Sequence, residues 1–157
     1  MKRPWNQIDE AVYSLVTQAD GQANMNICTY VSPVSMQPKL YAVAVYRNTH
    51  TLSLLEKSEQ AVLQFLAADQ YRLVRVLGQK SGVTYDKLRY LQKKDWLESW
   101  KEFPVLKNTA ARLLLRKQQR LDAGDHVLFL FGVESWQANH PDVLTLRTLT
   151  QHNIIRI

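Results

Sequence analysis

The chain has 157 residues, 46% of them hydrophobic, and a formal net charge of +6. This length and composition predict one globular domain over residues 1–157 with a sizeable core. The longest apolar run, residues 127–133, is far shorter than the ~20 residues of a membrane-spanning helix, so we expect no such helix. Cys28 has no cysteine to pair with, and the N-terminus lacks the apolar segment of a signal peptide, so we expect a cytoplasmic protein.

The excess positive charge is local. Most lysines and arginines lie between Arg72 and Arg120. Such a field attracts phosphate-bearing partners, either nucleic acid or a phosphorylated cofactor and dinucleotide. Charge alone leaves open a solvated basic face that binds no ligand.

The first predicted element is a β-branched strand over residues 11–18, closed by the turn Ala19-Asp20-Gly21. Residues 24–38, NMNICTYVSPVSMQP, then mix small polar and apolar side chains around two prolines. That mixture predicts a backbone that follows a bound ligand with short donors on one side and buried side chains on the other. Residues 40–46 form the next predicted strand, which is apolar almost throughout.

Two helices and another strand follow. Leucines at helical spacing in LSLLEKS, residues 52–58, predict a helix with Thr49 or Thr51 as its N-cap. Residues 60–67 predict a strand. Residues 69–77 predict an amphipathic helix that ends at Gly78.

The rest of the sequence is predicted to form mainly strands. Residues 79–105 predict a long basic excursion with one or two helical turns. Two long strands are predicted over residues 108–119 and 127–136, with a turn-rich connection, and a last strand over residues 143–149. The predicted architecture is therefore a barrel, mainly β, decorated with two or three helices.

Several motifs are missing from the sequence. It contains no GxGxxG, P-loop, GxSxG or CxxC, and its four histidines lack metal-ligand spacing. Hydrolase, kinase and metalloenzyme functions are therefore disfavoured, and we expect no metal site.

A family resemblance rests on four segments in a fixed order: NMNICTYVSPVSMQP, RNTHTLSLLEKSEQAVLQFL, LGQKSGVTYDKL and LDAGDHVLFLFGVES. This order, over residues 12–135, resembles the flavin reductase-like family of FMN-binding split barrels, in particular its flavoredoxin-like branch. The resemblance implies a six-stranded antiparallel split β-barrel, a homodimer, and non-covalent FMN near the dimer interface.

The resemblance also implies which residues bind the flavin. Residues 26–34 would follow the isoalloxazine ring and the ribityl chain with backbone amides and short hydroxyls. The candidates in this segment are Asn26, Cys28, Thr29, Tyr30, Val31, Ser32 and Val34. For Cys28 itself, a role as a small buried hydrophobic residue is the stronger alternative.

The phosphate requires positive charge and N–H donors. Arg47 at a strand end, with Thr49 and Thr51 at a helix start, fits that requirement. The resemblance assigns Arg47, Asn48 and Thr51 to the phosphate. Arg47 as an ordinary surface arginine is the alternative.

A second loop also approaches the cofactor in the family. It corresponds to SGVTYDK, in which Ser81 and Lys87 are the candidates and Lys87 would add a second cation. The alternative for Lys87 is a solvated loop lysine.

His126 is the catalytic candidate. It follows Gly124-Asp125 before a long strand, and the resemblance places it near the nicotinamide pocket. An imidazole there would orient the carboxamide or shuttle the proton that accompanies two-electron reduction. A turn histidine that caps backbone groups is the alternative.

These features lead to three functional hypotheses. The first is an FMN-binding oxidoreductase that passes hydride from NAD(P)H to flavin and electrons on to an acceptor, including a redox partner protein. The second is a non-enzymatic FMN-bearing electron carrier or flavin-storage module. The third, a basic barrel that binds nucleic acid, would use Tyr85, Tyr90, Trp96 and Trp100 as stacking platforms.

Two departures from the family pattern are visible. The chain has NMNICTY where well-known flavin reductases carry a Gly-x-Thr-x-Ser-Ser-Phe run, and Gln64 stands where many relatives have Asn. The first departure favours FMN as a fixed prosthetic group over an exchangeable substrate.

Overall fold

A computed structural model of the protein describes residues 3–156. The strands are β1 (Tyr13–Ala19), β2 (Gln22–Cys28), β3 (Val31–Ser35), β4 (Leu40–Tyr46), β5 (Gln60–Phe65), β6 (Leu97–Trp100), β7 (Phe103–Leu106), β8 (Ala111–Ala123) and β9 (His126–Ala138). The α-helices are α1 (His50–Lys57), α2 (Leu73–Gln79), α3 (Lys87–Lys93) and α4 (Leu146–Gln151), and short 3₁₀ helices cover Pro4–Asn6 and Ala68–Arg72. No helix within residues 3–156 combines the length and apolar character needed to cross a bilayer.

Seven strands form one antiparallel sheet in the order β2-β1-β5-β8-β9-β4-β3, and β6 and β7 form a separate hairpin. The mainly β, antiparallel architecture with helices is confirmed. The finer prediction of a six-stranded split β-barrel differs from the structure, in which the sheet has seven strands, begins with β2 and ends with β3, and is not a closed barrel. Two strands of the sheet, β2 and β3, come mainly from residues 24–38, whose mixture of polar and apolar side chains is compatible with strands.

Most predicted elements are confirmed with small shifts at their ends. β4 has the predicted bounds, and β9 extends beyond its predicted bounds at both ends. β8 both starts and ends later than predicted. Thr49, not Thr51, is the N-cap of α1: its backbone is extended and its hydroxyl accepts a hydrogen bond from the N–H of Leu52 at 3.2 Å.

The strand predicted over residues 143–149 is wrong. Only two isolated bridges form there, from Val143 to Ala67 and from Thr145 to Ala11, and α4 then begins at Leu146. The cause is Thr145, whose hydroxyl accepts from the N–H of Thr148 and caps the helix.

The helix predicted to end at Gly78 continues through that glycine to Gln79. A Cβ on Gly78 would lie 3.3 Å from Cγ1 of Ile27 on β2. The glycine therefore allows α2 to pack closely on the sheet, which is a different role from ending the helix.

The β6–β7 hairpin was not predicted. Its turn residues, Lys101 and Glu102, have positive φ angles of 52° and 66°, and neither is the glycine or asparagine that usually marks such a turn. Leu97, Phe103 and Val105 of the hairpin are buried against the sheet.

The sheet carries buried clusters on both faces. Val62 and Leu63, successive residues of β5, belong to different clusters because successive side chains of a strand point to opposite faces. The first cluster lies under α2, α3 and the β6–β7 hairpin, and the second contains Leu115, Phe129 and Phe131 beside α1.

Gln64 joins several of these elements. Its side chain is fully buried, its Oε1 accepts from the N–H of Leu106 at 2.7 Å, and its Nε2 donates to the hydroxyl of Ser14 at 3.3 Å. Gln64, which stands where many relatives have Asn, is thus a core residue whose hydrogen bonds connect the β6–β7 hairpin to the sheet.

Candidate functional site

The connection from β4 to α1 prepares one wall of the candidate site. The hydroxyl of Thr49 donates to the carbonyl of Tyr46 at 2.8 Å and accepts from the N–H of Leu52. The first N–H groups of an α-helix have no partner within the helix, so those of His50 and Thr51 are available to a ligand.

A first cavity of about 230 Å³ lies beside this connection. Its walls come from β1, β2, β4, α1 and the start of β9, through Leu15, Asn26, Ile27, Cys28, Thr29, Tyr30, Ala44, Val45, Tyr46, Thr51 and His126. The His126 ring contacts two tyrosine rings, with centroid distances of 5.0 Å to Tyr30 and 5.4 Å to Tyr46. The cavity therefore combines aliphatic walls, short polar groups and an aromatic rim.

A second cavity of about 250 Å³ adjoins the first. It is lined by Asn24, Asn26, Asn48, Thr49, His50, Thr51, Gly78, Gln79, Lys80, Ser81, Gly82 and Lys87. Asn26 and Thr51 line both cavities, so the two together form one elongated site with a polar, cationic end.

A buried hydrogen bond joins β2 to α1 in the wall of the site. Nδ2 of Asn24 donates to the hydroxyl of Thr51 at 3.0 Å, and both side chains are buried. A Cβ on Gly82 would lie 2.6 Å from Oδ1 of Asn24, so only glycine lets the loop after α2 approach the strand this closely.

Lys87 at the start of α3 supplies a buried cation. Its side chain donates through Nζ to the carbonyl of Leu77 at 2.6 Å and to Oδ1 of Asn26 at 3.3 Å. Burial lowers the pKa of Lys87 to about 8, since the charged form loses solvation there.

His126 has a defined ring orientation. Its Nδ1 lies 2.6 Å from Oδ1 of Asp125, and the carboxylate is the acceptor of that bond. Nε2 is then the ring nitrogen that does not contact Asp125.

Cys28 is half-buried in the wall of the first cavity. Burial raises the pKa of its thiol to about 12, so the group is protonated at neutral pH. A protonated thiol is a poor nucleophile, which favours a packing role for this residue.

This state of Cys28 predicts slow alkylation. A rise of the thiol pKa from 9.0 to about 12 lowers the thiolate fraction at pH 7.5 about a thousandfold. We expect iodoacetamide to modify the folded protein at least about a hundredfold more slowly than the urea-unfolded protein, as measured by mass spectrometry. Equal rates in the two states would contradict the burial of the thiol.

Ten of the predicted site residues line the two cavities, namely Asn26, Cys28, Thr29, Tyr30, Asn48, Thr49, Thr51, Ser81, Lys87 and His126. The other four, Val31, Ser32, Val34 and Arg47, line neither of them. Val31, Ser32 and Val34 belong to the edge strand β3, where the side chain of Val34 is exposed.

Arg47 points to the β8–β9 turn. Its Nη2 lies 2.7 Å from Oδ1 of Asp122 and its Nε donates to the carbonyl of Gly124 at 2.9 Å. The prediction that Arg47 binds a phosphate would require it to leave these partners.

Other cavity residues were not predicted. His50 and Lys80 stand directly beside predicted residues within RNTHT and LGQKSGVTYDKL, so an extension of those segments by one residue identifies them. Tyr46 could be found only from the β4–β9 register, which places it opposite His126.

The aromatic residues offered as nucleic-acid stacking platforms have partners within the protein. Tyr90 packs edge-on against Trp96 with centroids 6.2 Å apart, and the guanidinium of Arg112 lies 5.2 Å above the ring of Trp100.

Within residues 3–156 there is no group of three or more histidine, cysteine or carboxylate side chains that would hold a metal ion.

The chain is similar to known proteins. A protein of Archaeoglobus fulgidus described as uncharacterized is 27% identical over 117 residues, which cover 74% of this chain and 66% of that protein. This chain thus spans just under two thirds of that relative's length.

Solved structures share the fold. An FMN-binding protein from Thermus thermophilus with bound 1-cyclohex-2-enone has a TM-score of 0.76 at 21% identity, covering 88% of this chain and 75% of that one. Flavoredoxin from Methanosarcina acetivorans has a TM-score of 0.75 at 17% identity, covering 95% of this chain and 82% of that one. The family model "Flavin reductase like domain" matches residues 5–149, and the chain therefore belongs to the flavin reductase-like family.

Proposed function

We propose that the protein is an FMN-binding oxidoreductase that transfers hydride from NAD(P)H to flavin and passes electrons on to a downstream acceptor. The observation that carries this proposal is the elongated site, in which an aromatic-rimmed cavity adjoins a cationic one. FMN has the matching shape, a flat ring system joined through a ribityl chain to a phosphate.

The first cavity suits the ring system. Aliphatic side chains such as Val45 and Ile27 offer apolar walls, while Asn26 and Thr29 offer hydrogen bonds to the polar ring edge. When bound, the flavin supplies the hydride-accepting chemistry, and the protein supplies binding and orientation.

The second cavity suits the phosphate. The N–H groups of His50 and Thr51 at the start of α1 form an anion site with a favourable helix dipole. The side chains of Lys80 and Lys87 line the same cavity and add positive charge.

His126 is the proposed catalytic residue. It stands in the first cavity at the aromatic rim, where a nicotinamide would meet the flavin. With its Nδ1 held by Asp125, Nε2 would orient the carboxamide or hold the proton that accompanies two-electron reduction.

A homodimer is also proposed. Large apolar side chains are exposed on or next to β3 and on β9, including Val34, Met36 and Trp136, which is 70% exposed. Such side chains on one copy are typical of a surface that a partner covers. Light scattering of the purified protein measures the mass directly.

The function is tested by mixing FMN-loaded protein with NADH and with NADPH in the absence of oxygen. We expect the flavin absorbance to bleach within seconds with at least one of them, and His126→Ala to slow the bleaching about 10²-fold, the lower range for loss of a general acid or base. Absence of bleaching over an hour would favour the electron carrier or flavin-storage module. A colourless protein that binds no flavin would contradict both functions.

A further inference from the structure

Lys87 is an unusual residue in this site, because it is a charged side chain that is almost completely buried. It is 3% exposed, and its polar partners are the carbonyl of Leu77 and the side-chain oxygen of Asn26. Within residues 3–156, Lys87 takes part in no ion pair. Burial of a cation without a counter-charge is costly, and a nearby anion removes much of that cost.

Among the described residues, no carboxylate side chain lines the second cavity, where it could neutralise the charge of Lys87. β2 contributes the neutral amides of Asn24 and Asn26, and α2 contributes a backbone carbonyl. The other titratable side chains that line the second cavity are His50 and Lys80, and neither of them carries a negative charge. The carboxylate of Asp86 instead accepts from the N–H of Arg89 at the start of α3.

We propose that Lys87 makes flavin binding depend on the flavin phosphate and on the protonation of the Lys87 side chain. The ammonium form of Lys87 pairs with an anionic ligand in the second cavity. Binding in alkaline solution therefore takes up one proton. This inference rests on the proposed function, and it deepens it by naming the residue that distinguishes phosphorylated from unphosphorylated flavin. The proton comes from solvent and ends on Nζ, so no bond other than N–H forms.

The direction of the pH dependence follows from the ligand-free state. Burial alone lowers the pKa of Lys87 to about 8, and a bound dianion favours the charged form and raises it again. The phosphate monoester has its second pKa near 6, so its own charge is constant above pH 7. Affinity is therefore close to full at about pH 7, is roughly halved at about pH 8 and falls further as the pH rises.

The same contacts give Lys87 a second, positioning effect on Asn26. Because Oδ1 of Asn26 accepts from the ammonium, its Nδ2 is left to donate elsewhere, and Asn26 lines both cavities. Lys87 thus fixes Asn26 as a donor toward the ligand. This effect acts on unphosphorylated flavin too, and it does not require a change of charge.

The experiment measures binding of FMN and of riboflavin to the flavin-free protein between pH 7 and pH 9 by quenching of flavin fluorescence. For the wild type we expect FMN affinity to fall about tenfold over this range, the change expected for a group with a pKa near 8, and riboflavin affinity to stay constant within twofold. Calorimetry in buffers of different ionisation enthalpy should give close to one proton taken up per FMN at pH 9.

Three variants separate the charge of Lys87 from its packing. Lys87→Arg keeps a permanent cation, so the pH dependence of FMN binding should disappear. Lys87→Met should weaken FMN binding at pH 7 about tenfold or more and also remove the pH dependence. The control is Lys80→Met, an exposed lysine of the same cavity, which should weaken binding without changing the pH dependence.

Two results would overturn the inference while leaving the proposed function intact. One is wild-type FMN binding that is constant to pH 9 with no proton uptake, and this result does not depend on the folding of any variant. The other is a pH dependence that persists in Lys87→Met. Failure of the wild type to bind any flavin at pH 7 would instead overturn the proposed function together with the inference.

Discussion

Replacement of Ala44 by tryptophan should abolish flavin binding without unfolding the protein. Ala44 lies on β4 in the wall of the first cavity, and its backbone N–H donates to the carbonyl of Tyr30, a bond that the substitution retains. An indole in a cavity of about 230 Å³ leaves no room for a tricyclic ring. We expect at least about a hundredfold loss of FMN affinity, equivalent to about 2.7 kcal/mol.

Fluorescence titration with FMN measures this loss, and circular dichroism checks the fold. The matched control is Ala138→Trp, the same substitution at an exposed position of β9 that lines neither cavity. We expect the control to bind FMN within about twofold of the wild type. Normal FMN binding by a folded Ala44→Trp variant would mean that the ring system lies elsewhere.

Truncation of Leu115 to alanine should destabilise the protein strongly. Leu115 on β8 is fully buried in the cluster with Phe129 and Phe131. Removal of a leucine side chain from a packed core costs the lost burial and leaves a cavity, so we expect a loss of about 3 kcal/mol in the free energy of unfolding.

Urea unfolding of the flavin-free protein measures the change, with an unchanged m-value required for the comparison. The control is Leu121→Ala on the same strand, where the side chain is 62% exposed. We expect that variant to lie within about 0.5 kcal/mol of the wild type. Similar losses for both leucines would contradict the assignment of the core to this part of β8.

Local patterns in the sequence predicted a large part of the fold. The apolar run of β4 and the leucine spacing of α1 are strong signals of a buried strand and an amphipathic helix. The β6–β7 hairpin carried no such signal, since Lys101 and Glu102 adopt left-handed backbone angles without a glycine. At α4, the cap by Thr145 overrode a residue pattern that is compatible with a strand.

The candidate site was predictable where its residues are close in sequence. Thr49 and Thr51 identify a helix start, and Ser81 and Lys87 belong to the one segment LGQKSGVTYDKL. Contacts between distant segments were not predictable. The side chain of Arg47 leaves the cavities because Asp122, 75 residues later, pairs with it across the sheet.

The edge strand β3, at the end of the sheet, is poorly suited to pairing with a strand of another molecule. Pro33 in the middle of β3 has no N–H to donate, and the register to β4 shifts between Pro33 and Ser35. Both features interrupt the row of free backbone groups that a foreign strand would need for edge-to-edge addition. Self-association along this edge would therefore depend on side-chain contacts, and open-ended growth by addition of strands is disfavoured.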